Sequence, residues 1–191
     1  MVTPLLYHGA EHLLGQSKGR LFTLLRHPIE RAIQVYYSFI SSTSDPELET
    51  MSLVQYASSQ HAEENWMVRR MTNNLQIEGK DVNEMDLLKA KEILRQKCII
   101  GLYSKMDESI SRFEKTFGWG AVTENQANSG KICHNQILDN VRQRDKTMAL
   151  GILIQKGDNA YNLLLNKNKL DMDLYLYAVR LYAAQKELFT P

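Results

Sequence analysis

The chain has 191 residues, and its 23 Lys and Arg nearly balance 22 Asp and Glu, which gives a formal net charge of +1. That length fits a single domain, and the balanced charge argues against a general binder of nucleic acid or anionic membranes, which needs surplus basic residues. Two cysteines exclude a disulfide-rich scaffold, although one Cys98–Cys133 bridge stays open. No apolar run reaches the ~18–20 residues of a membrane span.

The first predicted strand is followed directly by a predicted helix. Residues 21–25 (LFTLL) form a short apolar run between Gly19 and Pro28, which is typical of a strand buried on both faces in a parallel sheet. Proline is tolerated in the first turn of a helix, so a helix is expected to begin at Pro28. An apolar stripe at helical spacing supports this helix: Ile29, Ile33, Tyr36 and Ile40.

A second apolar run, CIIGL at 98–102, predicts one more buried strand. The remaining chain is predicted to be helical at 53–58, 63–71, 85–96, 104–117, 140–165 and 171–188, with loops at 41–50 and 118–139. Alternating strands and helices indicate an α/β fold with a parallel sheet. Two strands are too few for a complete doubly wound sheet, so either strands escape the pattern or part of the fold is absent from this chain.

Two of the predicted helices carry more specific expectations. The 104–117 helix has Ser104 as its expected cap and Gly118 as its expected stop. The 85–96 helix is expected to use three apolar positions: Met85, Leu88 and Leu94.

Arg26 is a candidate anion-binding residue because it follows the first strand and precedes a helix. Ligands of open α/β sheets bind beyond the carboxyl ends of the strands, and a helix N-terminus offers free N–H donors to a phosphate. The planar guanidinium can pair with two phosphate oxygens at once. A structural alternative is that Arg26 and Arg31 pair with nearby acids such as Glu30.

The segment R-H-P-I-E-R-A-I-Q-V-Y at 26–36 resembles the 3'-phosphate-binding segment of sulfotransferases that use 3'-phosphoadenylyl sulfate (PAPS). It is most similar to the Golgi carbohydrate type, such as heparan sulfate 2-O- and 6-O-sulfotransferases, whose pattern is R-D-P-x-x-R-x-x-S-x-Y. The first Arg and the Ser of that pattern hold the 3'-phosphate. The resemblance places Arg26 at the first Arg, Arg31 at the second, Gln34 at the Ser and Tyr36 at the aromatic. An amide at Gln34 can still donate hydrogen bonds, but it is longer than a hydroxyl.

Four further segments resemble the same family, in the same order along the chain. They are Asn65–Arg69 (N-x-x-x-R), Ala90–Leu94 leading to Ile100–Leu102 (A-K-x-x-L and a G-L strand), Ser109–Phe117 (S-x-x-x-F-E-x-x-F) and Leu170–Ala178 (L-D-x-x-L-Y-x-Y-A). Most of their residues are expected to be structural. Leu174, Ala178 and Leu181 form an apolar stripe, and Asp171 or Asp173 is expected to cap or charge the first turn of its helix.

The resemblance implies an α/β, P-loop-NTPase-like sulfotransferase domain over residues 1–191, with a helix-rich C-terminal part. The strand, 5'-phosphosulfate loop and helix that begin the family's domain find no counterpart before Leu21. Either a truncated gene prediction or a degenerate homologue would explain this. The implied cofactor is PAPS, the implied acceptor a carbohydrate hydroxyl, and the implied location the Golgi membrane through an N-terminal anchor that this chain lacks. His8 is the candidate general base. The alternative is a non-catalytic module that binds a partner or is purely structural.

A zinc peptidase is a third hypothesis. His8, Glu11 and His12 form an H-x-x-E-H pattern, in which two His on one helix face bind zinc and the Glu acts as the base. The third ligand would come from Glu63 or Glu64. Gly9 weakens the required helix.

Overall fold

The computed structural model describes residues 21–42, 46–74, 81–118 and 157–189, with isolated helical positions at 135–136, 138–140 and 143. Its α-helices are α1 (Pro28–Ser42), α2 (Pro46–Glu49), α3 (Leu53–Ser58), α4 (Trp66–Thr72), α5 (Glu84–Lys97), α6 (Met106–Phe117), α7 (Asn159–Lys167) and α8 (Lys169–Ala184). Its strands are β1 (Leu21–Leu25) and β2 (Cys98–Leu102), and short 3-10 turns cover Tyr103–Lys105 and Gln185–Leu188. The protein is therefore a helix-rich α/β fold, as expected.

The two strands pair in parallel, with Leu21 opposite Cys98 and Leu25 opposite Leu102. Both predicted strands are confirmed at their predicted bounds. All five residues of β2 are buried, as predicted for this strand. The prediction that β1 is buried on both faces is wrong, because only Leu25 is buried and Leu24 is 40 % exposed.

Among the residues that the structure describes, side chains and not a further strand cover the outer edge of β2. The Gln185 amide accepts a hydrogen bond from Ile100 N at 2.9 Å and donates one to Cys98 O at 2.8 Å. Ser109 Oγ accepts from Leu102 N at 2.9 Å. These contacts satisfy backbone groups that would otherwise be buried without partners. Within the described residues, these backbone groups of β2 therefore have hydrogen-bond partners without a third strand.

Two apolar clusters flank the sheet and its first helix. The first joins α4, α5 and α8 to the strands, and its fully buried members include Val68, Ala90, Leu94, Ile100, Leu174 and Ala178. The second joins α1, α3 and α7, and includes Ile29, Ile33, Tyr36, Tyr56 and Leu164. The α1 stripe predicted from the sequence is thus confirmed as core, apart from a half-buried Ile40.

Several helix predictions need correction. The helix at 85–96 forms as α5, but Met85 and Leu88 are 72 % and 57 % exposed, whereas Leu87, Ala90 and Leu94 are buried. Ser104 does not cap α6, because a 3-10 turn precedes that helix. Gly118 ends α6 with φ 65°, as predicted. The expected loop at 41–50 contains the end of α1 and the short α2. Among the described helices, none is long and apolar enough to cross a membrane.

Candidate functional site

Arg26 and Tyr103 meet at the carboxyl edge of the sheet. Leu25 is paired with Leu102, so the next residue of each strand lies at the same edge. The Arg26 guanidinium carbon is 4.3 Å from the centroid of the Tyr103 ring. This cation–π contact holds the guanidinium where a ligand of a parallel sheet is expected.

Gln34 contacts Arg26 directly. Arg26 Nη1 donates a hydrogen bond to Gln34 Oε1 at 2.6 Å, across a separation of eight residues. The bond connects the end of β1 to the second turn of α1, and it uses the amide oxygen only. The two N–H donors of the Gln34 amide remain for another acceptor. The two residues that the sequence nominated for the 3'-phosphate are therefore neighbours in space.

Glu30 brings a negative charge to the same place. Its Oε2 lies 3.6 Å from Arg26 Nε, and its side chain is 59 % exposed, whereas that of Arg26 is 17 % exposed. An ion pair with so exposed a carboxylate is weak. The structural alternative, in which Arg26 pairs with a nearby acid, is thus also present in the geometry. Any anion that binds Arg26 competes with Glu30 for the guanidinium.

Arg31 and Tyr36, which also match the family pattern, serve the packing of α1. Arg31 Nη2 is 2.6 Å from Glu63 Oε2, and its guanidinium lies 3.7 Å from the Trp66 ring centroid. The buried Tyr36 donates a hydrogen bond from its hydroxyl to Met51 O at 2.8 Å. These contacts fix α1 against the segment that leads into α4, and so they support Arg26 indirectly.

His27 packs inward beside the site. Its ring is 5.3 Å from that of Tyr175 on α8, and its backbone oxygen accepts the N–H of Arg31 at the start of α1. Burial lowers the pKa of His27, although the nearby Glu30 carboxylate opposes this shift. Burial therefore disfavours a positive charge on His27 next to Arg26.

Tyr103 is the site residue that the sequence prediction missed. It is the first residue after the second apolar run, in the position that Arg26 occupies after the first run. The rule that ligands bind at the carboxyl ends of parallel strands could have nominated it. Its contact with Arg26 depends on which strands are neighbours, and only the structure shows that.

Of the residues proposed for zinc binding or for the general base, Glu63 and Glu64 lie within the described residues. His8, Glu11 and His12 lie outside the described residues. Glu63 pairs with Arg31, and Glu64 lies 3.1 Å from Lys167 Nζ, so both nominated third ligands are paired with cations. Within the described ranges, no group of three His, Cys, Asp or Glu side chains could hold a metal ion.

Cys98 is a buried free thiol at the start of β2. Burial raises its pKa to about 12, so it is not a reactive thiolate at physiological pH. Its possible disulfide partner, Cys133, lies outside the described residues. Cys98 is therefore a core residue, as the sequence predicted.

Together, Arg26, Gln34 and the start of α1 present a guanidinium, amide N–H donors and a positive helix end near the edge of the sheet. Such a set can hold one phosphate group. In comparisons of this chain with known families, curated proteins and solved structures, no family model, protein or structure matches.

Proposed function

We propose that the chain is a PAPS-dependent sulfotransferase-like domain in which Arg26 and Gln34 bind the 3'-phosphate of the nucleotide. The observation that carries this proposal is the 2.6 Å hydrogen bond between the two residues. In the family's phosphate segment, the two residues that hold the 3'-phosphate are eight positions apart. Arg26 and Gln34 have this spacing, and the resemblance requires them to lie close together. The expected acceptor is a carbohydrate hydroxyl.

The chemistry of phosphate recognition follows from the groups at the site. A 3'-phosphate would accept hydrogen bonds from the Arg26 guanidinium and from the Gln34 amide nitrogen, beside the positive end of α1. Tyr103 would hold the guanidinium plane in place by stacking on it, because its ring centroid is 4.3 Å from the guanidinium carbon. Glu30 would turn outward, which its 59 % exposure permits.

In the proposed reaction, the sulfuryl group passes from PAPS to the acceptor oxygen, and adenosine 3',5'-bisphosphate (PAP) leaves. The S–O bond to the 5'-phosphate breaks as the new S–O bond forms, and the acceptor's proton goes to a general base. His8 is the candidate for that base. Arg26 would contribute by anchoring the nucleotide, not by touching the reacting sulfur.

A non-catalytic binding module is the second candidate. Gln34 and Glu30 both already contact Arg26, so a bound nucleotide would share the guanidinium with these two partners. Weak binding without turnover is the outcome that this arrangement favours for the isolated chain. A sulfuryl-transfer assay with PAPS and oligosaccharide acceptors separates the two candidates, because the module would bind PAP but form no sulfated product.

Calorimetric titration with two nucleotides tests the phosphate site. PAP and adenosine 5'-monophosphate differ only in the 3'-phosphate, so the ratio of their affinities measures recognition of that group. We expect PAP to bind the wild type at least tenfold more tightly, and Arg26→Ala to abolish this advantage. Arg95→Ala is the matched control, because Arg95 is exposed on α5 and forms an ion pair with Glu92 of the same helix, far from the Arg26 site in the sequence. Equal PAP affinity for the wild type and Arg26→Ala would refute the assignment.

A further inference from the structure

The ring of Trp66 contacts the guanidinium groups of two arginines. The guanidinium carbon of Arg31, on α1, lies 3.7 Å from the ring centroid, and that of Arg70, on α4, lies 5.1 Å from it. Both distances are within the usual range of a cation–π contact. Trp66 and Arg70 are four residues apart on α4 and so share one face of that helix. The ring therefore helps to fix the position of two positive charges.

The two arginines differ in their hydrogen-bond acceptors. Arg31 donates from Nη2 to Glu63 Oε2 at 2.6 Å. Arg70 is half-buried, and its buried Nε has no acceptor; its guanidinium forms no ion pair with any residue that the structure describes. The other arginines of the described ranges all have an acceptor: Arg26, Arg31, Arg69, Arg95, Arg112 and Arg180. Arg70 is thus the exception among them.

The carboxylates that contact α4 and the segment before it already have partners. Each pairs with a cation or with backbone N–H groups: Glu63 with Arg31, Glu64 with Lys167, Asp81 with Arg69, and Asp171 with Met67 and Val68. A guanidinium that is partly withdrawn from water normally has an acceptor, because an unpaired charge there is costly. Among the described side chains, none compensates the charge of Arg70, and this points to an acceptor on a ligand.

We propose that Arg70 binds the carboxylate of a small organic acid. The planar fork of a guanidinium matches the two oxygens of a carboxylate. The pair of Arg31 and Glu63 shows the same arrangement in complete form, with the guanidinium on Trp66 and a carboxylate oxygen 2.6 Å from its nitrogen. One uncompensated positive charge favours a monoanion over a dianion such as phosphate. The site uses neither Arg26 nor Gln34, so it does not rest on the proposed nucleotide binding.

The fluorescence of Trp66 reports on this site directly. The chain has two tryptophans, so Trp119→Phe leaves Trp66 as the single emitter in the full chain. Acetate carries the carboxylate alone, and acetamide has the same shape without the charge. When acetate replaces chloride at constant ionic strength, we expect a saturable change in the Trp66 emission, and acetamide should cause none. No saturable change, an equal response to acetamide, or tighter binding of inorganic phosphate at pH 8 would overturn the proposal.

Variants in the same single-tryptophan background locate the carboxylate. Arg70→Ala should weaken acetate binding about tenfold, the effect of one hydrogen bond to a charged group. Arg70→Lys keeps the charge but loses the fork, so its affinity should lie between the two.

Arg180→Ala is the matched control, because it removes a guanidinium from an exposed position on α8 and should change nothing. Arg26→Ala should also leave acetate binding unchanged, which separates this site from the nucleotide site. Unchanged affinity in Arg70→Ala, or an equal loss in Arg180→Ala or Arg26→Ala, would overturn the proposal. Tighter binding of a capped aspartyl peptide than of acetate would contradict a small acid and assign the site to an acidic side chain of a partner.

Discussion

Asn65 directly precedes α4 and Asp171 stands in the first turn of α8, and the side chain of each accepts backbone N–H groups from the first turn of the other's helix. The Asn65 side-chain oxygen accepts the backbone N–H groups of Leu170 and Asp171, at 3.0 and 3.3 Å, in the first turn of α8. In return, the Asp171 carboxylate accepts the N–H groups of Met67 and Val68, at 2.8 and 2.9 Å, in the first turn of α4. Asp171 was expected to cap or charge the first turn of its own helix; it does stand in that turn, but its carboxylate caps α4 and not α8. The carboxylate instead satisfies donors that lie more than one hundred residues earlier in the chain.

This exchange of caps holds together the start of α4 and the start of α8. It also bears on the candidate site, because Tyr175 lies one turn beyond Asp171 on α8 and packs on His27, the neighbour of Arg26. The caps therefore fix the helix against which the loop between β1 and α1 packs. Their role is to position the site, and neither residue is placed to contact a ligand.

Replacing Asp171 with Ala should strongly destabilise the protein. The carboxylate is 1 % exposed, so its removal leaves two buried N–H groups without acceptors, each at a cost of about 1–3 kcal/mol. We expect the free energy of unfolding at pH 5 to fall by about 2–4 kcal/mol in urea denaturation. Asp173→Ala is the control, because Asp173 is exposed on the same helix turn. A loss below 0.5 kcal/mol would show that the exchanged caps are dispensable.

The stability deficit of Asp171→Ala should depend on pH. Burial raises the pKa of Asp171 to about 6, against the opposing effect of the hydrogen bonds from Met67 and Val68. An unfolded Asp titrates near pH ~4, so the folded chain binds this proton more tightly. The resulting stabilisation is complete below pH ~4 and is lost as the pH rises through about 6. The deficit of the variant should therefore shrink by about 1 kcal/mol between pH 5 and pH 7, whereas a deficit that grows would mean a depressed pKa.

Local patterns predicted much of this fold. The apolar runs at 21–25 and 98–102 became strands at those bounds, because a short run of apolar residues between a turn and a helix is a local signal. The face of α5 was predicted wrongly, since Met85 and Leu88 are as apolar as Leu87, and only the packing of α8 and β2 selects between them. The hydrogen bond between Ile100 N and the Gln185 side chain, at the outer edge of β2, also depends on tertiary contacts that a local pattern does not show.

The candidate site was predictable in part for the same reason. Arg26 and Gln34 belong to one strand–helix unit, so their spacing in the sequence was enough to nominate the pair. Tyr103 comes from a distant segment, and its position at the site depends on which strand lies next to β1. The ion pair between Arg26 and Glu30 depends on the side-chain conformations of both residues. The sequence shows only that the two residues are four positions apart.

Gly101 should not tolerate a side chain. A Cβ at this position would overlap the Phe113 ring and lie 3.1 Å from Leu24 Cδ1. Gly101→Ala should therefore lower the free energy of unfolding by about 1–3 kcal/mol in urea denaturation, the usual effect of overpacking. The double variant Gly101→Ala/Phe113→Leu makes room and should be more stable than the sum of the two single changes predicts. If the two changes in the free energy of unfolding simply add, then contact with Phe113 is not what excludes a side chain at position 101.

PAP should bind most tightly to Gln34→Ser, less tightly to the wild type and least tightly to Gln34→Ala. The Gln34 oxygen accepts a hydrogen bond from Arg26, so the amide competes with a phosphate for that donor. A serine hydroxyl can donate to the phosphate but is too short to hold Arg26 in the same way, whereas alanine offers no donor. Calorimetric titration measures the three affinities, and Gln143→Ala is a comparison with the same chemical change at another position. Tighter binding by Gln34→Ala than by Gln34→Ser would exclude a donor role at this position.

Removing the charge of Glu30 should strengthen nucleotide binding. The carboxylate lies 3.6 Å from Arg26 and stands in the first turn of α1, where it opposes the approach of a second anion. We expect Glu30→Gln to bind PAP about two- to fivefold more tightly than the wild type, which corresponds to the modest strength of an exposed ion pair. The gain should shrink at high salt, because screening weakens the same repulsion.

Glu84→Gln provides the matched control for this change, since Glu84 also stands exposed in the first turn of a helix, on α5. It removes the same charge and should leave PAP affinity unchanged. The gain from Glu30→Gln should also be absent in an Arg26→Ala background, because the carboxylate acts by competing for that guanidinium. An equal gain in Glu84→Gln would show that net charge alone is responsible. A gain that persists without Arg26 would place the phosphate elsewhere.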